Sequence, residues 1–128
     1  MIILEPPFSE EKFIKVKTIE DIKNSPSNAT LIFDYCPSSL EVYNFCKIND
    51  IPYGVNIISV KELVFISNLN AKYAFCDTIQ KAKKFQKIAN EYLMDTKIIL
   101  LIPDFDDIEN IANFGIDGIK LRRINEKT

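Results

Sequence analysis

Apolar and polar positions along this chain fall into one recurring unit: a short apolar run, a polar residue able to cap a helix, then an amphipathic stretch. The unit reads as Leu31–Phe33 closed by Asp34, Tyr53–Val55 closed by Asn56, Tyr73–Cys76 closed by Asp77, and Ile98–Ile102 closed at Pro103-Asp104. Uninterrupted apolar runs are what strands of a parallel sheet carry, because both of their faces are covered. The stretches between them follow three- and four-residue apolar steps, most regularly at Ile79, Ala82, Phe85, Ile88, Ala89 and Tyr92. The rhythm predicts an α/β fold, a single domain over 1–128 of repeated βα units around a mostly parallel sheet of five or six strands.

The flanks are read more coarsely. Residues 1–11, with Pro6-Pro7, are expected to form an N-terminal arm or edge segment, and 122–128 a charged tail. Phe13–Lys17 alternates apolar and basic residues, as an exposed edge strand does. Thr18 with Asp21, Ser38 with Glu41 and Ser59 with Glu62 have the spacing of capping boxes. Gly115 is placed to end a helix in the left-handed region.

Two architectures satisfy this pattern. A flavodoxin-like open sheet covers both faces with helices at this size. A partial TIM barrel is the other, since a complete one needs at least about 200 residues and the chain has 128. A partial barrel would leave an edge and an apolar face to bury, which points to a homodimer.

Ile51-Pro52, Ser59 with Glu62, and Leu69 with Ala71 resemble one βα unit of the 2-keto-3-deoxy-6-phosphogluconate aldolase family of TIM barrels. Ile111–Ile119 is similar to the penultimate helix-to-strand turn of phosphate-binding barrels. The resemblance covers about half of the chain and implies barrel-like architecture. It does not extend to the activity: the Schiff-base lysine position of those aldolases falls on Phe75 and the turn glycine on Asn70. Glycine loops that would cradle a phosphate are missing, the only glycines being Gly54, Gly115 and Gly118.

The candidate chemistry lies at the carboxyl ends of the strands, where open parallel sheets hold ligands. Asp34, Cys36, Asn56, Asp77 and Asp104 are the ligand-binding candidates; no catalytic residue and no resident metal or other cofactor is assigned. If the carboxylates converge, they offer a general base or oxygen ligands for Mg²⁺. The competing reading is that they cap helices, for which Asp and Asn are preferred.

Three cysteines without CxxC spacing suggest small buried thiols rather than a disulfide framework. The net charge of -2 argues against a broad nucleic-acid surface. Lys81, Lys83, Lys84 and Lys87, with Lys72, and separately Lys120, Arg122 and Arg123, read as solvated basic faces. No apolar stretch approaches the roughly 20 residues of a membrane helix, and the N-terminus lacks a signal-peptide pattern, so a cytoplasmic protein is expected. Phe65, Phe105 and Phe114 are surplus to the expected core and suit an interface. The resulting expectation is a non-catalytic, self-associating or partner-binding module. Its alternative is a small enzyme or ligand-binding protein using the strand-end carboxylates, with Mg²⁺ or a phosphorylated metabolite.

Overall fold

The computed structural model describes residues 1–122. Strands β1 (Ile2–Ile3) and β2 (Lys12–Lys15) precede helix α1 (Ile19–Lys23). Then come β3 (Ala29–Asp34), α2 (Leu40–Ile48), β4 (Tyr53–Asn56), α3 (Val60–Ser67) and β5 (Tyr73–Cys76). The described chain closes with α4 (Ile79–Glu91), β6 (Lys97–Ile102), α5 (Ile108–Ala112) and β7 (Gly118–Leu121). All seven strands join one sheet in the order β1-β7-β6-β5-β4-β3-β2, and every pairing is parallel. The sheet therefore has one or two more strands than the sequence suggests. The extra strand is β1, two residues long and too short to show a periodicity.

Strand order separates the two expected architectures. From β2 to β7 each strand is laid beside its predecessor in the same direction. Right-handed crossovers that never reverse put every helix on one face. A flavodoxin-like sheet needs a reversal, so the open-sheet alternative is excluded and the partial barrel holds. The other face curls upon itself. In a flat sheet β7 and β2 would lie about 24 Å apart at ~4.8 Å per strand. Instead the Lys120 ammonium on β7 sits 5.2 Å from the centre of the Phe13 ring on β2. Phe13 also meets Phe75 of β5 edge-on at 6.2 Å.

The pleat sorts residues between two cores. Leu31, Phe33, Tyr53, Val55, Ala74, Cys76, Ile98, Leu100 and Ile119 face the helices. Their sequence neighbours Ile32, Tyr73, Phe75 and Ile99 face the concave interior with Leu4 and Phe13. Phe75 and Ile99 are 1% and 0% exposed in the single chain. The concave face is thus covered without a second copy, which removes one of the two reasons given above for a dimer and leaves the sheet edge as the other.

Gly54 makes the tight interior possible, since a Cβ there would lie 2.5 Å from Phe75 Cε2. Gly115 adopts φ +69°, as expected of the turn after α5. Helix α2 buries Tyr43 and Cys46, with Val42 and Phe45 partly buried against the same core. In α4, Ala82, Phe85 and Ala89 are buried as expected, but Gln86 joins them and Tyr92 is exposed beyond the helix end.

The amino ends of the strands are bolted shut. Glu11, just before β2, accepts hydrogen bonds from Thr30, from the Tyr73 hydroxyl (2.6 Å) and from Lys72 (3.0 Å). Asp117 accepts from the Ile98 N–H, and its own N–H donates to the buried Gln86. At the opposite end Glu5 accepts from the Leu121 N–H. The segment 5–11 therefore runs from the carboxyl end of the barrel to its amino end, along the side where a strand is missing.

Candidate functional site

With Glu11 tying the amino ends together, the polar residues that close the strands stand at the carboxyl mouth. Asp34 ends β3 and Asn56 ends β4, in register as direct partners on adjacent strands. The Asn56 amide donates to Asp34 Oδ1 at 2.8 Å, and the Lys15 ammonium of β2 lies 2.9 Å from Asp34 Oδ2. Partial burial pulls the Asp34 carboxyl upward, but the Asn56 and Lys15 hydrogen bonds and the Lys15 charge outweigh it and hold the group below the usual aspartate range. The loop after β3 is fixed from beneath. The fully buried Tyr43 hydroxyl donates to the Asp34 carbonyl at 3.3 Å and accepts from the Cys36 N–H at 3.2 Å. Burial pushes Tyr43 up to about 12, so it stays a neutral donor.

Asp34, Asn56 and Asp77 line one cleft of about 450 Å³. Tyr35, Glu62, Phe75, Leu101 and Arg122 complete its polar and apolar walls. Arg122 is tethered through backbone, its guanidinium donating to the Asp77 and Leu101 carbonyls at 3.3 Å each. Partial burial and the nearby Glu62 carboxylate raise the Tyr35 phenol above its ordinary value.

Cys36 and Asp104 lie outside this cleft. Cys36 lines a neighbouring groove of about 460 Å³ with Lys15, Thr18, Asp21 and Asp34. It is exposed, 3.1 Å from the Ser38 hydroxyl, and hydrogen bonds from Ser38 and Ser39 hold its thiol below the ordinary range. Asp104 lines a third groove of about 260 Å³ with Asp77, Asp107 and Arg122, and accepts from the Asp106 N–H. Asp34 thus borders two of these grooves and Asp77 two, so the mouth is a row of three adjoining depressions.

The capping explanation of these residues fails. Helix α3 is capped by Ser59 and α4 by Thr78, whose side chains accept from Glu62 and Lys81 N–H groups. Asp107 rather than Asp104 stands at the N-cap of α5. The polar residue closing each strand and the residue capping each helix are different residues, adjacent at Asp77-Thr78 and two or more residues apart elsewhere. The Thr18–Asp21 capping box forms fully, whereas Ser38 with Glu41 does not, since the N-cap of α2 is Ser39, which makes no side-chain cap bond. Among the described residues no three Cys, Asp or Glu side chains converge on a position that would hold a metal ion.

The groups that sequence reasoning missed point inward. Lys120 belongs to no basic face: it is 3% exposed, its ammonium 3.8 Å from the equally buried Glu5. The signal was its place between Ile119 and Leu121, which puts it on the Gly118 face of an alternating strand. Of its sequence companions, Arg122 borders the cleft and Arg123 lies outside the described residues. Lys72, Lys81 and Lys83 are also engaged, with Glu11, Asp77 and the Phe114 ring respectively.

The chain matches no protein-family model and no curated protein sequence. No helix is long and apolar enough to cross a membrane among the described residues. Fold and site together define an incomplete parallel barrel with a sealed amino end and a polar carboxyl mouth.

Proposed function

We propose that this protein binds a small polar molecule in the mouth of its partial barrel. One observation carries the reading: Asp34, Asn56 and Asp77, none of which caps a helix, line a single cleft with Arg122. Ligand pockets have volumes of about 300–1,000 Å³ and combine apolar walls with a few convergent polar groups. Phe75, Ile57 and Leu101 supply such walls here. Phe75, where the resembled aldolases would carry a lysine, supplies no amine for Schiff-base chemistry, which favours binding over that type of catalysis.

A ligand that binds only the native state raises its stability. Thermal unfolding of the full chain with organic acids, amino acids, sugar phosphates and divalent cations tests this. The reading expects a concentration-dependent rise with at least one class and its loss in Asp34→Ala or Arg122→Ala. An unfolding temperature flat across the whole panel overturns it.

A second reading, self-association, is favoured by the outer edge of β1. Among the described residues that strand pairs only with β7, and Met1 and Ile2 are 50% and 39% exposed. Light scattering that gives a monomeric mass at micromolar concentration overturns it.

A further inference from the structure

Behind the mouth cleft lies a smaller cavity of about 90 Å³, lined by Phe13, Lys15, Ile32, Asn56, Phe75, Leu101 and Lys120. We infer that this inner cavity receives the carboxylate end of a small organic acid whose polar body occupies the outer cleft, an inference that rests on the mouth being a binding site. Three observations carry it. First, the two spaces are continuous in their walls, since Asn56, Phe75 and Leu101 line both. Second, the ionisable groups in the inner lining are both ammoniums. Their carboxylate partners, Asp34 and Glu5, are not among the lining residues, which leaves two lysines and the Asn56 amide as the polar groups of the described lining. Third, the remaining walls are aromatic or aliphatic. The volume equals about three waters at ~30 Å³ each, enough for a carboxylate and its adjoining carbon.

The same walls discriminate among anions. A carboxylate brings one charge and a flat pair of acceptors, for which the two lysines and the Asn56 amide are the donors within reach of the lining. A phosphate dianion brings twice the charge into an aromatic enclosure, and removing it from water costs far more. Outside, the cleft has both signs, with Glu62 and Asp77 opposite Arg122. The body of the ligand accordingly carries hydrogen-bonding groups, as hydroxy or amino acids do.

The test is titration of the full-length protein with lactate, pyruvate, serine and inorganic phosphate, followed by calorimetry and by the methyl resonances of Ile32 and Leu101. Lys15→Met removes one ammonium, and its partner Asp34 remains solvated at the rim. Leu101→Phe fills the cavity from a half-buried position. Lys120→Met is avoided, because it would leave Glu5 buried without that ammonium. The expected result is binding of at least one carboxylate with shifts at both methyls, weakened about tenfold or more by Lys15→Met and abolished by Leu101→Phe. Methyl shifts in the unaltered protein stand as evidence even if Leu101→Phe does not fold. Phosphate binding as tightly as every carboxylate overturns the inference. So does the absence of carboxylate binding, or carboxylate binding that leaves both methyls unmoved. If another class of compound then binds in a manner sensitive to Asp34→Ala, the mouth is still a binding site and only its inner specificity has been misjudged.

Discussion

The Tyr73 hydroxyl donates a 2.6 Å hydrogen bond to Glu11 across 62 residues of sequence, joining the edge strand β2 to the middle of the sheet. A sheet that curls needs a force across its concave side, and this bond supplies one where the barrel is sealed. Tyr73→Phe keeps the ring packed against Phe13 and Phe75 and removes only the donor. Loss of a hydrogen bond to a charged acceptor costs about 1.5–3 kcal/mol. Urea unfolding is expected to show that loss with an unchanged denaturant slope.

The same carboxylate sets a pH dependence. Burial pulls Glu11 upward, but hydrogen bonds from Thr30, Tyr73 and Lys72, with the Lys72 charge, outweigh it and hold the group below its ordinary 4.5. A carboxyl depressed in the folded state contributes stability that is complete above its unfolded value and is lost as pH falls through the folded one. Asp34 shifts in the same direction from 3.8. Stability is therefore expected to hold from neutrality down to about pH 5 and to decline below it. Denaturant midpoints measured across that range should show a shallower acid decline for Glu11→Gln.

Gly54 is tested by giving it a side chain. An added Cβ would meet Phe75 Cε2 at 2.5 Å and Tyr73 Cβ at 3.0 Å. Overpacking of this kind costs about 1–3 kcal/mol. Gly54→Ala is expected to lower the unfolding temperature and to move the Phe75 ring resonances, both measurable on the purified variant.

The cysteines divide by environment. Burial lifts Cys46 to about 11 and Cys76 to about 12, and both are enclosed, whereas Cys36 is exposed with a lowered value. Thiolate is the reactive species. Iodoacetamide on the native protein near pH 8 is expected to add one group, at Cys36, and on the denatured protein three. Mass spectrometry of the two samples decides it.

Helix capping separates neighbouring residues. Thr78→Ala removes the acceptor for the Lys81 N–H and is expected to cost about 1 kcal/mol. Asp77→Ala removes only an exposed ion pair with Lys81, worth about 0–1 kcal/mol. Thermal unfolding that reversed this order would return the capping role to Asp77.

The repeat of apolar runs made β3 to β7 and their helices legible, because each run is long enough to express a period. It did not show β1, whose partner β7 lies at the far end of the described chain and whose two residues have no pattern of their own. The mouth was legible in part. Asp34, Asn56 and Asp77 follow from the rule that polar residues end the strands, yet their pairing with Lys15 and Arg122 depends on curvature. Lys120 and Glu5 were obscured by their charge: residues of that type read as surface until the sheet closes over them. The distinction between Asp77 and Thr78 as cap turns on one residue of backbone, finer than a periodicity resolves.

The position of β1 has a consequence for how the molecule is made. Its backbone partners are Gly118 and Ile119, and Glu5 beside it bonds to Leu121 across 116 residues. As the polypeptide leaves the ribosome, β2 to β6 can assemble in order, each on its predecessor. Strand β1 must wait for β7, and with it the segment 5–11 that crosses the open side. The barrel gains its last edge only by joining two segments from opposite ends of the described chain.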